Sequence, residues 1–165
     1  MNTSVKTPVR RSLSSPWGPM TLVAHDEALV WVGFDGQKHA PDTSQWSVSH
    51  DHPVLRLAAD ELQQYFAGER SQFDVPVDLS RGTAFQQHVW TALRDIAPGS
   101  TISYGAISQS IGNAKAVRAV GGAVGRNPIS IIVPCHRVVG ANGSMTGYAG
   151  GLPRKVALLQ LESHL

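Results

Sequence analysis

The sequence predicts a mixed α/β (α+β) fold in two parts. A small antiparallel β-sheet with one helix occupies residues 1–80, and a mostly helical part occupies residues 81–165. Three observations predict it. Apolar residues cluster in short β-branched runs before residue 35 and recur at helical spacing from residue 53 onward. Charge changes sign along the chain: residues 1–80 hold six Lys/Arg against ten Asp/Glu, a net of −4, whereas residues 81–165 hold eight against two, a net of +6. Between them, Ser80-Arg81-Gly82 is a break directly before a helix-start signal.

Residues 1–9 are polar and lack periodicity, as expected of a mobile tail. Arg11–Ser15 predicts a first strand and Pro16-Trp17-Gly18-Pro19 a turn. Met20–His25 and Ala28–Phe34, separated by Asp26-Glu27, predict a hairpin. Residues 35–50 are rich in Gly, Pro, Ser, Asp and His and are expected to form a loop. Pro53 suits a first helical position; Leu55, Ala58, Ala59, Leu62, Tyr65 and Phe66 then share one face, and Gly68 ends the helix. Asp74–Leu79 alternates weakly and predicts one more strand. Nothing in this half reads as catalytic. His25, His39, His50 and His52 are scattered over expected loops, with no metal site among them.

In the second half, Thr83-Ala84-Phe85-Gln86 has the capping-box pattern. Phe85, Val89, Leu93 and Ile96 mark the helix face that follows, Trp90 reads as core, and Pro98-Gly99 is the stop. Ser103–Ile111 and Ala114–Val124 predict two short helices across Gly112-Asn113, a helix-turn-helix pattern that many helical hairpins share. The second of these is nearly all small residues around Arg118. It allows either tight core packing or close approach to a minor groove with phosphate-dominated contact. Ala141-Asn142-Gly143-Ser144 suits a tight turn, Thr146–Gly151 a glycine-rich loop carrying Tyr148, and Pro153 the start of a last helix to Ser163 with Val156, Leu158 and Leu159 inward.

The composition, 42% hydrophobic and 16% charged, supports a folded core. A single cysteine excludes an internal disulfide and a Cys-rich zinc site, and suggests a reducing, cytoplasmic setting. No apolar leader and no stretch near the length of a membrane span is evident. The basic second half points to a polyanion, with a solvated basic face as the alternative.

That cysteine sits in Ile131-Ile132-Val133-Pro134-Cys135-His136-Arg137-Val138-Val139-Gly140. Ile131–Val133 reads as a buried strand-like lead-in, and Pro134 as its end. A lone cysteine is commonly a small buried hydrophobe. The adjacent His136 and Arg137 instead suggest an activated thiol, with a lowered pKa. Glu162, one of two acids in the second half, reads by itself as a solvated terminal glutamate.

Taken together, Ile102-Ser103-Tyr104-Gly105, Ala119–Ala123, Asn127-Pro128, Val133–Val138 and Gly147–Gly151, in this order along the chain, strongly resemble the O6-alkylguanine-DNA alkyltransferases over residues 82–162. The resemblance implies a ribonuclease H-like N-terminal domain and a C-terminal domain with a winged helix-turn-helix that holds the active site. It implies DNA repair by single, irreversible transfer of an alkyl group from guanine O6 to Cys135, with His136 as base, Glu162 orienting His136, and Tyr104 serving the leaving guanine. The partner implied is double-stranded DNA, entered through the minor groove with the alkylated base flipped out. Arg118 would fill the stack, and Lys115, Ala116, Ala119, Gly121 and Arg126 would lie along the DNA. Asn127, Pro134, Val138, Tyr148, Ala149 and Gly150 would form the substrate pocket. Carbonyls at Cys135 and Val138 would read the guanine amino group, and the Ala149 N–H would meet O6. No cofactor or metal is expected. The free protein is expected to be a monomer; cooperative binding on DNA and acceptance of O4-alkylthymine stay open. The acidic N-terminal half is expected to be structural support without a direct DNA role. Two rival readings keep part of the pattern: a non-catalytic module that recognises alkylated guanine, and a Cys-His hydrolase.

Overall fold

The computed structural model describes residues 7–165, so most of the expected N-terminal tail lies outside the described residues. Val9 already belongs to strand β1 (Val9–Ser15), which starts two residues before the expected Arg11. β2 (Gly18–His25) pairs antiparallel with both β1 and β3 (Ala28–Phe34), so the hairpin expected from the sequence forms, with β3 at the edge of the sheet. Residues 35–50 are more ordered than expected. A 3-10 turn at Thr43–Gln45 is capped by Asp42, and β4 (Ser47–Val48) lies parallel to β1, giving the order β3-β2-β1-β4.

Helix α1 (Pro53–Phe66) crosses this sheet and buries Val54, Leu55, Ala58, Ala59, Leu62 and Tyr65. Pro53 opens it, the His52 ring accepts the Val54 N–H, and Gly68, at φ +77°, lets the chain turn away.

The strand expected at Asp74–Leu79 does not form as an element. The segment makes one parallel bridge, Leu29 with Val77. Pro76 has no N–H to give a ladder, and the N–H groups of Asp74 and Val75 are taken by the buried Glu61 carboxylate at 2.9–3.1 Å.

β3 is an edge strand whose outer side is covered in two places. Leu29 exchanges bonds with Pro76 and Asp78, and Val32 with Pro128 and Ser130 at 2.9 Å each. The second pair joins the sheet to the segment leading into Cys135. The main hydrophobic core correspondingly runs from Leu13 to Leu158 through both halves, and Val23, Val30 and Trp31 form a second, small cluster with Trp46.

α2 (Ala84–Leu93) begins with the expected capping box, closed by both Thr83 and Gln86. It ends at Leu93, before Pro98-Gly99, in overlapping three-residue turns. Trp90 is buried and its indole N–H donates to the Ala123 carbonyl at 2.8 Å, so it is core as expected.

α3 (Tyr104–Ser110), capped by Ser103, and α4 (Val117–Gly125) pack on each other and on α2 across a turn in which Gly112 has φ +81°. α4 starts three residues later than expected, because Ala116 closes a turn onto the Asn113 carbonyl instead. The short strands β5 (Ile102–Ser103) and β6 (Val138–Val139) pair in parallel and tie α3 to the segment after Cys135. Gly140–Ser144 forms the expected tight turn, and α5 (Leu152–Glu162) closes the fold. In α5, Leu158 is fully buried, whereas Val156 and Leu159 are only half-buried.

Candidate active site

The segment before Cys135 is buried, but it is a turn and not the strand-like run expected. Ile131 has φ +73°, a region that β-branched residues avoid. Asn127 holds it there: its amide donates to the Val133 carbonyl at 2.7 Å, and its carbonyl accepts the Ile129 N–H at 2.9 Å. Replacing Asn127 by alanine leaves the buried Ile129 N–H without a partner and the Val133 carbonyl with only the Cys135 N–H. A loss of about 1–3 kcal/mol of stability is expected, readable by urea denaturation.

The chain then makes one 3-10 turn, Cys135–Arg137, with all three side chains buried. Burial pushes the Cys135 thiol up to about 11, against the opposing effects of an Asn127 hydrogen bond and the Lys155 charge. This reverses the lowered pKa expected from the His-Arg neighbours. Arg137 is engaged elsewhere: Nε and Nη2 donate to Glu162 at 2.8 and 2.7 Å, and Nη1 donates to the Ile96 carbonyl at 2.6 Å.

His136 is fully buried and its Nε2 lies 2.7 Å from Glu162 Oε2. Burial alone would push the Glu162 carboxyl up, but hydrogen bonds from Arg137 and His136 hold it down at about 2. Glu162 is therefore an ionised acceptor, which assigns the proton to Nε2 and leaves Nδ1 as the basic atom. Nδ1 has no protein partner among the described residues. Burial also pushes the His136 pKa down, against the pull of Glu162. At rest the pair is a neutral thiol and a neutral imidazole.

Cys135 opens onto a cavity of about 340 Å³, a size suited to a small ligand. Tyr104, Tyr148, Ala149, Gly121 and Arg126 line it with Cys135. Asn127, Pro134, Val138 and Gly150 are buried and are not among the lining residues. At Gly150 there is no room for a side chain: a Cβ would meet the Tyr148 and Phe34 rings. The Val138 carbonyl already accepts the buried Lys155 ammonium at 2.5 Å, which also meets the Thr146 and Gly147 carbonyls. Beside the cavity, α4 turns Val120, Ala123 and Val124 inward and leaves Arg118, Ala119 and Gly122 exposed, with Lys115 exposed just before it and Ala116 half-buried.

Two family descriptions match this chain. The 6-O-methylguanine DNA methyltransferase ribonuclease-like domain matches residues 9–79, and the DNA-binding domain of the same family matches residues 84–164. A Mycobacterium tuberculosis methylated-DNA–protein-cysteine methyltransferase is 51% identical over 152 residues, covering 92% of this chain and 90% of the relative. The chain belongs to the 6-O-methylguanine DNA methyltransferase family. A Methanosarcina acetivorans relative with the same description is 50% identical over 149 residues, 90% of this chain and 94% of that one. The crystal structure of the M. tuberculosis O6-methylguanine methyltransferase superposes with a TM-score of 0.87 at 49% identity, covering 95% and 93% of the two chains. A structure of M. tuberculosis OGT in complex with DNA superposes at 0.88, with 50% identity and 93% and 92% coverage. The methyltransferase fold is thus that of the two-part α/β architecture expected from the sequence.

Four contributors to this methyltransferase site were not legible in the sequence. Tyr65, on α1, donates its hydroxyl to Glu162 Oε2 at 2.6 Å. Lys155 places a buried cation near Cys135. Lys38 and His39 bring the acidic half to the cavity wall, where the Lys38 N–H donates to the Ala149 carbonyl. The first half, in which nothing reads as catalytic from the sequence, thus contributes residues to the site. Tyr65 read as one more apolar position on a helix face; only its polar tip on a buried face gave a signal. Among the described residues, no group of three His, Cys, Asp or Glu side chains is placed to hold a metal ion, and no helix is long and apolar enough to cross a membrane.

Proposed function

We propose that the chain repairs DNA directly, moving the alkyl group of O6-alkylguanine in a duplex onto Cys135. The observation that carries this reading is a buried thiol facing a cavity bordered by Tyr104 and α4, with the His136–Glu162 pair behind it.

Sulfur attacks the alkyl carbon in line. The S–C bond forms as the C–O6 bond breaks, and its electron pair passes into the guanine ring. The thiol proton goes to His136 Nδ1, directly or through a water, and the imidazolium that forms is stabilised by ionised Glu162. Because a neutral thiol and a neutral imidazole are the resting state, proton transfer accompanies attack instead of preceding it. Tyr104 donates its phenol proton to the departing guanine, which ends neutral; the tyrosinate takes a proton back from solvent as the imidazolium releases the one that came from the thiol. The thioether is stable, so each molecule reacts once.

The target base is flipped out of the duplex into the cavity, at a cost of a few kcal/mol. α4 approaches the minor groove with its small exposed face. Arg118 takes the place of the flipped base, while Lys115 and Arg126 meet phosphates. Arg118→Ala is expected to slow repair of duplex DNA far more than reaction with the free modified base; equal losses on both substrates would remove the stack-filling role. Binding is expected to weaken with salt, because the contacts are mainly to phosphates.

The test is intact mass after incubation with a duplex containing O6-methylguanine, followed by peptide mapping. One added methyl on Cys135, saturating at one per protein, supports the reading. Unmodified protein that still binds the lesion would favour a recognition module.

A further inference from the structure

We propose that Tyr65 is a positioning residue for the alkyl transfer, its hydroxyl sharing Glu162 Oε2 with His136 and so setting how strongly the carboxylate holds the His136 ring. The inference rests on the proposed function, and it gives the N-terminal half a part in the chemistry.

The geometry carries it. Oε2 receives three donors: Tyr65 Oη at 2.6 Å, His136 Nε2 at 2.7 Å and Arg137 Nη2 at 2.7 Å. Oε1 receives Arg137 Nε. An oxygen with two lone pairs divides its charge among three donors, so each bond is weaker than it would be alone. Tyr65 is the only one of the three from outside the Cys135–Arg137 turn. Its ring is fully buried and fixed by Phe66 and Phe73, with centroids 5.8 and 5.5 Å away. The ring is thus held by packing, and the hydroxyl is free to serve Glu162. Burial and the Glu162 charge push the Tyr65 phenol well above its usual range, so it remains a donor at any working pH. The other charged or titratable groups acting on this cluster are Arg137, Lys155 and Tyr148.

Removing the hydroxyl concentrates the Oε2 charge on His136 and Arg137. The Nε2–H bond strengthens, the imidazolium is favoured, and His136 takes up a proton at higher pH. Nδ1 is then blocked over a wider acidic range. In Tyr65→Phe, the acidic limb of the rate of methyl transfer against pH is expected to move up by about half a unit, a part of what one hydrogen bond to a carboxylate is worth. The His136 Nε2 proton resonance of the full chain should move downfield. On a Glu162→Gln background, the same substitution should no longer move it.

An unshifted limb with an unmoved resonance would overturn the proposal, as would an equal move in the Glu162→Gln background. In the unsubstituted protein, a cross-relaxation peak between the Tyr65 hydroxyl proton and the His136 Nε2 proton is expected, and its absence would also overturn it. Should the unsubstituted protein leave no methyl on Cys135, the proposed function fails, while the resonances still decide the role of Tyr65.

Discussion

Cys135→Ala is expected to abolish alkyl transfer and to leave lesion-containing DNA bound nearly as tightly as before. The sulfur is the only thiol in the sequence, so no neighbouring group takes over its attack. The side chain is 6% exposed, and Lys115, Arg118 and Ala119, which the proposal sets against DNA, are separate exposed residues, so its loss leaves them in place. Removing one buried sulfur costs about 1 kcal/mol of packing, which a well-folded chain of this size tolerates. The measurement is methyl transfer by mass spectrometry beside a binding isotherm on the same duplex. Transfer at the unsubstituted rate would refute Cys135 as acceptor. Loss of binding in step with transfer would mean that the thiol also holds the base.

Glu162→Ala is expected to damage both stability and rate. The carboxylate is 2% exposed and accepts from His136, Tyr65 and twice from Arg137. Without it, the Arg137 guanidinium is left buried with only the Ile96 carbonyl. Breaking a buried pair in this way costs about 3–5 kcal/mol. The pH dependence gives a second measure. The carboxyl lies at 4.5 when unperturbed and at about 2 in the fold. A depressed acid stabilises the fold fully above its unfolded value and progressively less as pH falls from there toward 2. That displacement corresponds to about 3 kcal/mol, in line with the cost of deletion. His136 acts in the same direction, because burial keeps it neutral while the unfolded ring protonates below about 6.5. Chemical denaturation at pH 3 and pH 7 should show the unsubstituted protein losing stability in acid, and Glu162→Gln losing less. A variant with unchanged stability and unchanged acid sensitivity would contradict the assignment of this cluster.

Local signals in the sequence reached a good part of the fold. The β2–β3 hairpin, the Pro53 and Thr83 helix starts and the Gly68 stop each follow from a few adjacent residues. What failed was set by distant partners. Asp74–Leu79 alternates like a strand, yet Glu61 takes its first N–H groups and Pro76 interrupts its ladder. Ile131–Val133 is β-branched and buried like a strand, yet Asn127 folds it into a turn. The site divides the same way. Cys135, His136 and Tyr104 stand in short motifs, whereas Tyr65 and Lys155 enter it through contacts that no local pattern announces. Arg137 was visible as a neighbour of the thiol, but its partner is 25 residues away.

The hydrogen bonds between Val32 and residues 128–130 have a consequence for any attempt to use the halves separately. They cap the outer side of an edge strand, so severing the chain near residue 80 would uncover a row of unpaired backbone groups on β3. The freed sheet would offer a template on which another copy could add a strand, inviting aggregation. The other fragment would lose the β-bridge that braces the turn before the nucleophile, and with it the support for Ile131 in its unfavourable conformation. Amide exchange at Val32 and Ser130 should therefore be slow and matched, reporting opening of the whole molecule and not of either part.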